Sequence, residues 1–202
     1  MDINLLKQNL TKKGFLPIIC ETSEEATTTV INLVGSGTTV GMGGSMTSKQ
    51  LGLDIALQNA GNIVYSHSLV PPSLANQLYD LARNSKWYIS SANAITQGGD
   101  IVNIDGTANR VSTLIYGVEN IIYCIGINKI VNNIDDAIDR IRNYSAPKNA
   151  RRLQRNTPCA ITGKCEYCNS SDCICNTTVI SHHPTKLQKQ VYVIIIKEEL
   201  GL

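Results

Sequence analysis

The chain predicts a three-layer α/β/α domain on a mostly parallel sheet, resting on three observations. Short apolar, β-branched runs recur at 15–20, 38–42, 62–66, 87–91, 121–127 and 190–197. Stretches of helical periodicity separate most of them, which is the pattern of parallel strands joined by crossovers. A composition of 43% hydrophobic and 17% charged residues over 202 positions supplies one sizeable core and excludes general disorder.

Each element has its local reason. Ile3, Leu6 and Leu10 stand at helical spacing and Gly14 supplies a stop, so 2–13 is a helix. Residues 15–20 are short, apolar and bounded by turn signals, hence a strand. Thr22 and Glu25 form a capping-box pair ahead of a helix to about Val34. Residues 38–42 read as a strand and Gly43-Gly44-Ser45 as a turn, with Ser45 capping a helix that runs to about Gly61. Strand 62–66 follows. Pro71-Pro72-Ser73 then starts a helix through about Asn84. Strands 87–91 and 101–104 come next, the latter in a hairpin whose turn is Gln97-Gly98-Gly99-Asp100. A helix from Asn109 to Tyr116 leads to strand 121–127. Residues 135–144 are amphipathic, Pro147 interrupts them, and helix resumes at 149–155. The β-branched run at 190–197 is typical of a buried strand.

One domain over 1–202 is expected, with one composition shift, a cysteine-rich excursion at 157–184. Eighteen Lys and Arg against sixteen Asp and Glu argue against a general nucleic-acid or membrane-surface binder. No apolar run approaches a membrane span. The start, Met1-Asp2-Ile3-Asn4, has an early acid and no apolar signal core, so a cytoplasmic location is expected. The sequence leaves self-association into a homo-oligomer open.

Several strings can carry chemistry. Gly41, Gly43, Gly44, Ser45 and Thr47 lie at a strand-to-helix turn, where glycine lets backbone approach a ligand and a helix start offers N–H groups to an anion. A tight turn that only packs helix on sheet is the plain alternative. Asn93, Asp105, Gly106, Asn109 and Arg110 flank the hairpin at presumed carboxyl ends of strands, where α/β proteins place ligands. Asn128 and Lys129 follow strand 121–127 in the same position. Asp105 is the best general-base candidate, Arg110 or Lys129 is expected to contact an anionic group of the ligand, and Asp105 and Lys129 are the candidate catalytic residues. Each of these types is also an ordinary turn residue. Six bases without an acid, Arg140, Arg142, Lys148, Arg151, Arg152 and Arg155, suit phosphate or carboxylate, or form a solvated helix face.

Cysteines give the sharpest local signal. Cys20 and Cys124 sit in apolar strands as core residues. Cys159, Cys165, Cys168, Cys173 and Cys175 crowd one window, and a Cys-x2-Cys pair brings two thiolates to one centre. Zinc and an iron–sulfur cluster both take four thiolates, and spacing alone does not separate them.

The strings Gly41-Met42-Gly43-Gly44-Ser45-Met46-Thr47, Ala92-Asn93-Ala94-Ile95-Thr96, Asn103-Ile104-Asp105-Gly106-Thr107-Ala108-Asn109-Arg110-Val111, Gly126-Ile127-Asn128-Lys129-Ile130-Val131 and Thr157-Pro158-Cys159-Ala160-Ile161-Thr162-Gly163-Lys164-Cys165 occur in this order. Together they resemble the LUD-domain family of lactate-utilisation proteins, in its stand-alone cysteine-bearing branch. The resemblance spans about residues 5–200. It implies a fold similar to the glucosamine-phosphate deaminase, ribose-phosphate isomerase and CoA-transferase superfamily. It implies work beside oxidoreductase and iron–sulfur partner proteins in lactate oxidation. It selects Cys159, Cys165, Cys168 and Cys175 as ligands and leaves Cys173 as an extra thiol facing away. Ala108 stands where the family pattern has glycine. The leading expectation is therefore a redox accessory protein that binds a metal centre, iron–sulfur before zinc, and an anionic small molecule. An isomerase- or transferase-like enzyme acting on a phosphorylated metabolite is the alternative. A non-enzymatic module with structural zinc is the third reading.

Overall fold

A computed structural model describes residues 1–202, the side chain of Pro72 excepted. In chain order the elements are α1 (Ile3–Lys12), β1 (Leu16–Cys20), α2 (Ser23–Val34), β2 (Thr39–Met42), α3 (Met46–Gln50), α4 (Leu53–Asn59), β3 (Ile63–Ser66), α5 (Ala75–Arg83) and β4 (Trp87–Ser90). There follow β5 (Ala94–Thr96), β6 (Ile101–Asp105), α6 (Asn109–Ile115), β7 (Asn120–Gly126), β8 (Ile130–Val131), α7 (Ile134–Arg140), α8 (Ala146–Arg152), α9 (Pro158–Thr162), β9 (Thr177–Ser181) and β10 (Gln190–Ile196).

Six strands form one parallel sheet in the order β1-β10-β7-β4-β2-β3. Its central strands are buried on both faces, and side-chain parity assigns each residue to a layer. Ile121, Tyr123 and Ile125 of β7, with Val191, Val193 and Ile195 of β10, pack with Leu6 and Leu10 of α1 and Leu114 of α6. The intervening Ile122, Cys124, Ile194 and Ile196 pack with Val30 of α2 and Leu53 and Leu57 of α4. Three layers result, as the alternation of strands and helices predicted. A second sheet, β8-β5-β6-β9, stacks Ala94, Val102, Ile104 and Val131 on Ala137 and Ile141. Its β5–β6 hairpin is antiparallel and turns where expected. No helix among the described residues is long and apolar enough to cross a membrane.

Four local expectations need correction. The helix foreseen from Ser45 to Gly61 is two helices, because Gly52 adopts φ +61° between them and Thr27 donates to the Leu51 carbonyl exposed at the break. Pro147 does not interrupt its helix. Residues Ile141–Ser145 widen to a π-turn just before it, which accommodates the missing N–H and the bulk of the ring against the preceding carbonyls. Helix α7 thus runs through the π-turn into α8. The capping box of α2 closes one residue early. Thr22 accepts from the Glu25 N–H, but the Glu25 carboxylate takes the Glu21 N–H. The window 157–184 is not a pure excursion either. Its second half is β9, paired antiparallel with β6 from Asp105–Thr177 to Ile101–Ser181.

Candidate functional site

The order in which strands are added to the main sheet reverses beside β2. From β2 the chain moves outward to β3, then returns to β4 and onward to β7. The loops leaving the carboxyl ends of β2 and β4 therefore part, and a crevice opens between them, the usual ligand position in α/β sheets. A cleft of about 610 Å3 lies there. Gly43, Gly44 and Ser45 line it after β2, Ser91 and Asn93 after β4, and Asp105, Gly106, Asn109 and Arg110 after β6. Lys129 lines it from the turn after β7. The positions after β2, β4 and β7 converge because parallel strands deliver their carboxyl ends to one side, and β6 of the second sheet brings Asp105 and Arg110 beside them.

Glycine is demanded at two of them. A Cβ on Gly43 would come within 2.9 Å of the Tyr88 hydroxyl and 3.0 Å of Arg110 Cγ, and one on Gly44 within 3.0 Å of His67 Cε1. Bare backbone thus admits the Arg110 and His67 side chains to the cleft.

Arg110 is a hub. Its Nε donates to Asp105 Oδ2 at 3.1 Å, and its terminal nitrogens donate to Asn103 Oδ1, Asn93 Oδ1 and the Ile104 and Ser91 carbonyls. Asp105 Oδ1 accepts from the Thr107 and Ala108 N–H groups. Both partners are thus committed to the protein itself. Asp105 is a brace in this structure, not a free base, and Arg110 reaches an anion only by surrendering bonds.

Lys129 differs. It is 3% exposed, and its Nζ donates to Thr47 Oγ1 at 2.8 Å and Ser91 Oγ at 3.0 Å. No carboxylate pairs with it among the described residues. Burial, then the positive charges of Arg140 and Arg110, push its amine down to about 7.

Three predicted ligand contacts fall outside the cleft. Gly41 is packed under α5, where a Cβ would meet the Ala82 carbonyl oxygen at 2.2 Å. Thr47 is fully buried as the partner of Lys129 and donates to the Leu200 carbonyl. Asn128 accepts the Leu200 N–H through Oδ1 and so anchors the chain after β10.

Sequence reasoning missed His67, Ser48 and the role of Arg140. His67 follows β3, so the carboxyl-end rule that found the other loops reaches it too. It packs edge-on to Tyr79 and lines the cleft. Burial and then nearby Arg152 hold its imidazole below the ordinary value. The Ser48 hydroxyl is buried in the cleft wall with no partner among the described residues. Arg140 ties the loops together, donating to the Asn128 and Asn93 carbonyls and to Ser145 Oγ. Of the remaining bases, Arg152 and Arg155 reach the cleft. Arg151 donates to the Ala160 and Ile161 carbonyls, and Lys148 lies on the Tyr144 ring.

All five clustered cysteines line a second pocket of about 230 Å3, with Arg142 and Tyr167 at its wall. Cys173 does not face away as expected. Its Sγ accepts the Cys175 N–H, which folds both residues toward the pocket. Arg142 donates to Cys165 Sγ at 3.5 Å and stacks over Tyr167. Burial and the neighbouring Cys173, Cys165 and Cys159 push the Cys175 thiol up to about 12. Among the described residues no three His, Cys, Asp or Glu side chains are grouped so as to hold one metal ion.

The crystal structure of a DUF162 family protein from Deinococcus radiodurans is similar over 96% of this chain and 95% of that one, with a TM-score of 0.55 at 9% identity. That likeness shows a shared fold. No curated protein matches the chain in sequence. The LUD domain family model matches residues 3–196. With nearly the whole chain covered, the protein belongs to the LUD-domain family, the lactate-utilisation-type proteins.

Proposed function

We propose that the protein is a redox accessory component of lactate utilisation. It binds an iron–sulfur centre through Cys159, Cys165, Cys168 and Cys175, holds a small anionic molecule in the cleft, and works with oxidoreductase or iron–sulfur partner proteins. One observation carries this reading. Cys175, Ile174 and Ala146 line both the cleft and the cysteine pocket, so the two sites share a wall. A metal centre held there stands next to whatever occupies the cleft.

Zinc and an iron–sulfur cluster both take thiolate ligands, and the redox association of the lactate-utilisation family favours the cluster. Arg142 beside Cys165 offsets the negative charge such a group carries. When bound, the cluster would supply one-electron exchange. The anion is favoured by Lys49, Arg152 and Arg155 on the cleft wall against Asp54 and the already paired Asp105.

Protein purified without oxygen tests the metal. Iron and acid-labile sulfide in similar amounts, with broad visible absorption, is the expected result. Stoichiometric zinc without sulfide, or no metal at all, would overturn the iron–sulfur reading. Lactate and pyruvate titrations test the anion, and Arg152→Ala should weaken binding about tenfold. Equal affinity in that variant would remove Arg152 from the site.

A further inference from the structure

The hydrogen bonds around Lys129 fit a neutral amine. Its Nζ has two acceptors, Thr47 Oγ1 and Ser91 Oγ. Each hydroxyl spends its own proton elsewhere, Thr47 on the Leu200 carbonyl and Ser91 on the Ala92 carbonyl. Both therefore accept from the lysine. An ammonium carries three protons and would leave one without a protein partner among the described residues, at a cost in a buried site. A neutral amine donates both of its protons and keeps its lone pair free.

The electrostatics agree. Lys129 is buried, with Arg140 and Arg110 as the charges that lower its proton affinity and the Cys124 thiol alone opposing them. Desolvation beside other cations is how proteins hold a lysine in its nucleophilic form. Lys129 also lines the cleft, and so does the Ser48 hydroxyl, which has no partner among the described residues. The floor thus offers an amine nucleophile and an uncommitted hydroxyl, and the rim offers Lys49, Arg152 and Arg155 to an anionic group.

We propose that Lys129 forms an imine with the carbonyl carbon of an anionic aldehyde or ketone bound in the cleft. The amine lone pair forms the C–N bond as the carbonyl π bond opens onto oxygen. The two amine protons then leave with that oxygen as water, and hydrolysis reverses the step. No oxidant or reductant is consumed. The proposal rests on the anion-binding half of the function proposed above and is independent of the cysteine pocket.

Reductive trapping tests it. The full chain is incubated near neutral pH with pyruvate, glyoxylate or pyridoxal 5′-phosphate, reduced with borohydride, digested and mapped by mass spectrometry. At least one probe should label Lys129 in preference to the exposed lysines, and Lys129→Met should lose that label. Labelling spread over surface lysines, or no adduct at Lys129 with any of the three, overturns the imine. If the same probes still raise the thermal midpoint of the wild-type chain while Lys129 stays unlabelled, the imine falls and the anion site stands. Peptide mapping of the wild-type chain decides the matter even where the variant fails to fold.

Discussion

The Asp105 carboxylate and the Arg110 guanidinium form a pair that is about nine-tenths buried on both sides, Oδ2 to Nε at 3.1 Å. Asp105 ends β6 and Arg110 opens the body of α6, so the pair closes the turn between them. The remaining Arg110 donors reach Asn93, Asn103, Ile104 and Ser91. One side chain therefore ties the loop after β4 to the end of β6 and the turn that follows it.

Removing Arg110 should be costly. Arg110→Ala leaves a buried carboxylate without its cation, a change worth roughly 3 kcal/mol. Denaturant unfolding of the variant should show a lower midpoint with the slope retained. A midpoint equal to wild type would mean that the pair does not hold the turn.

Ala108 should respond in the opposite direction. It sits at φ +64° as the residue before α6, a conformation that strains an L side chain by about 1–2 kcal/mol. Glycine removes the strain and adds some unfolded-state freedom. Ala108→Gly should therefore gain about 1 kcal/mol, read as a rise in thermal midpoint with unchanged ligand binding. A fall would show that the Ala108 methyl packs more than the backbone strains.

Lys129 makes stability depend on pH with a definite sign. Its amine is near 7 in the folded chain against 10.5 for an ordinary lysine. Between those values the unfolded chain holds a proton that the folded chain lacks, so folding stability rises with pH there, by at most about 1.4 kcal/mol per unit. Below the folded value both states are charged and the full penalty remains. Urea titrations across this window should show the slope in wild type, and Lys129→Met should flatten it. An equally steep slope in the variant would assign the effect to other groups.

The cysteines should separate by role. Cys168→Ser should lower the iron content of anaerobically purified protein and loosen residues 157–184. Cys173→Ser should keep the iron, because that residue serves Cys175 through a backbone hydrogen bond to its sulfur. Iron lost from Cys173→Ser but kept in Cys175→Ser would reverse the assignment.

Much of the architecture was legible because it follows from local and periodic forces. Strand runs, caps at Thr22 and Ser45, and the hairpin turn before Asp100 depend on neighbours within a few residues. The break at Gly52 and the π-turn before Pro147 were harder to read. In both cases a helix signal continues through a residue whose tolerance depends on what receives the freed backbone groups, as Thr27 does for Leu51. Strand β9 was hidden among cysteines, because pairing with β6 and not its own composition makes it a strand.

For the site, the sequence by itself determined which loops meet. A parallel sheet carries its carboxyl ends to one side, so Gly43, Asn93 and Lys129 share a cleft whatever their partners are, whereas Asp105 arrives from β6 of the second sheet. Tertiary structure alone decided what each group is free to do. Asp105 and Arg110 look like chemistry in the sequence and neutralise each other in space. Gly41 and Thr47 look like ligand contacts and are consumed by Ala82 and Lys129. Lys129 looks like a cation for an anionic group and is a buried amine with no carboxylate paired to it among the described residues. The physical reason is that a residue's identity sets its possible hydrogen bonds and charge, whereas burial and the partners brought in from distant segments decide which of them remain available.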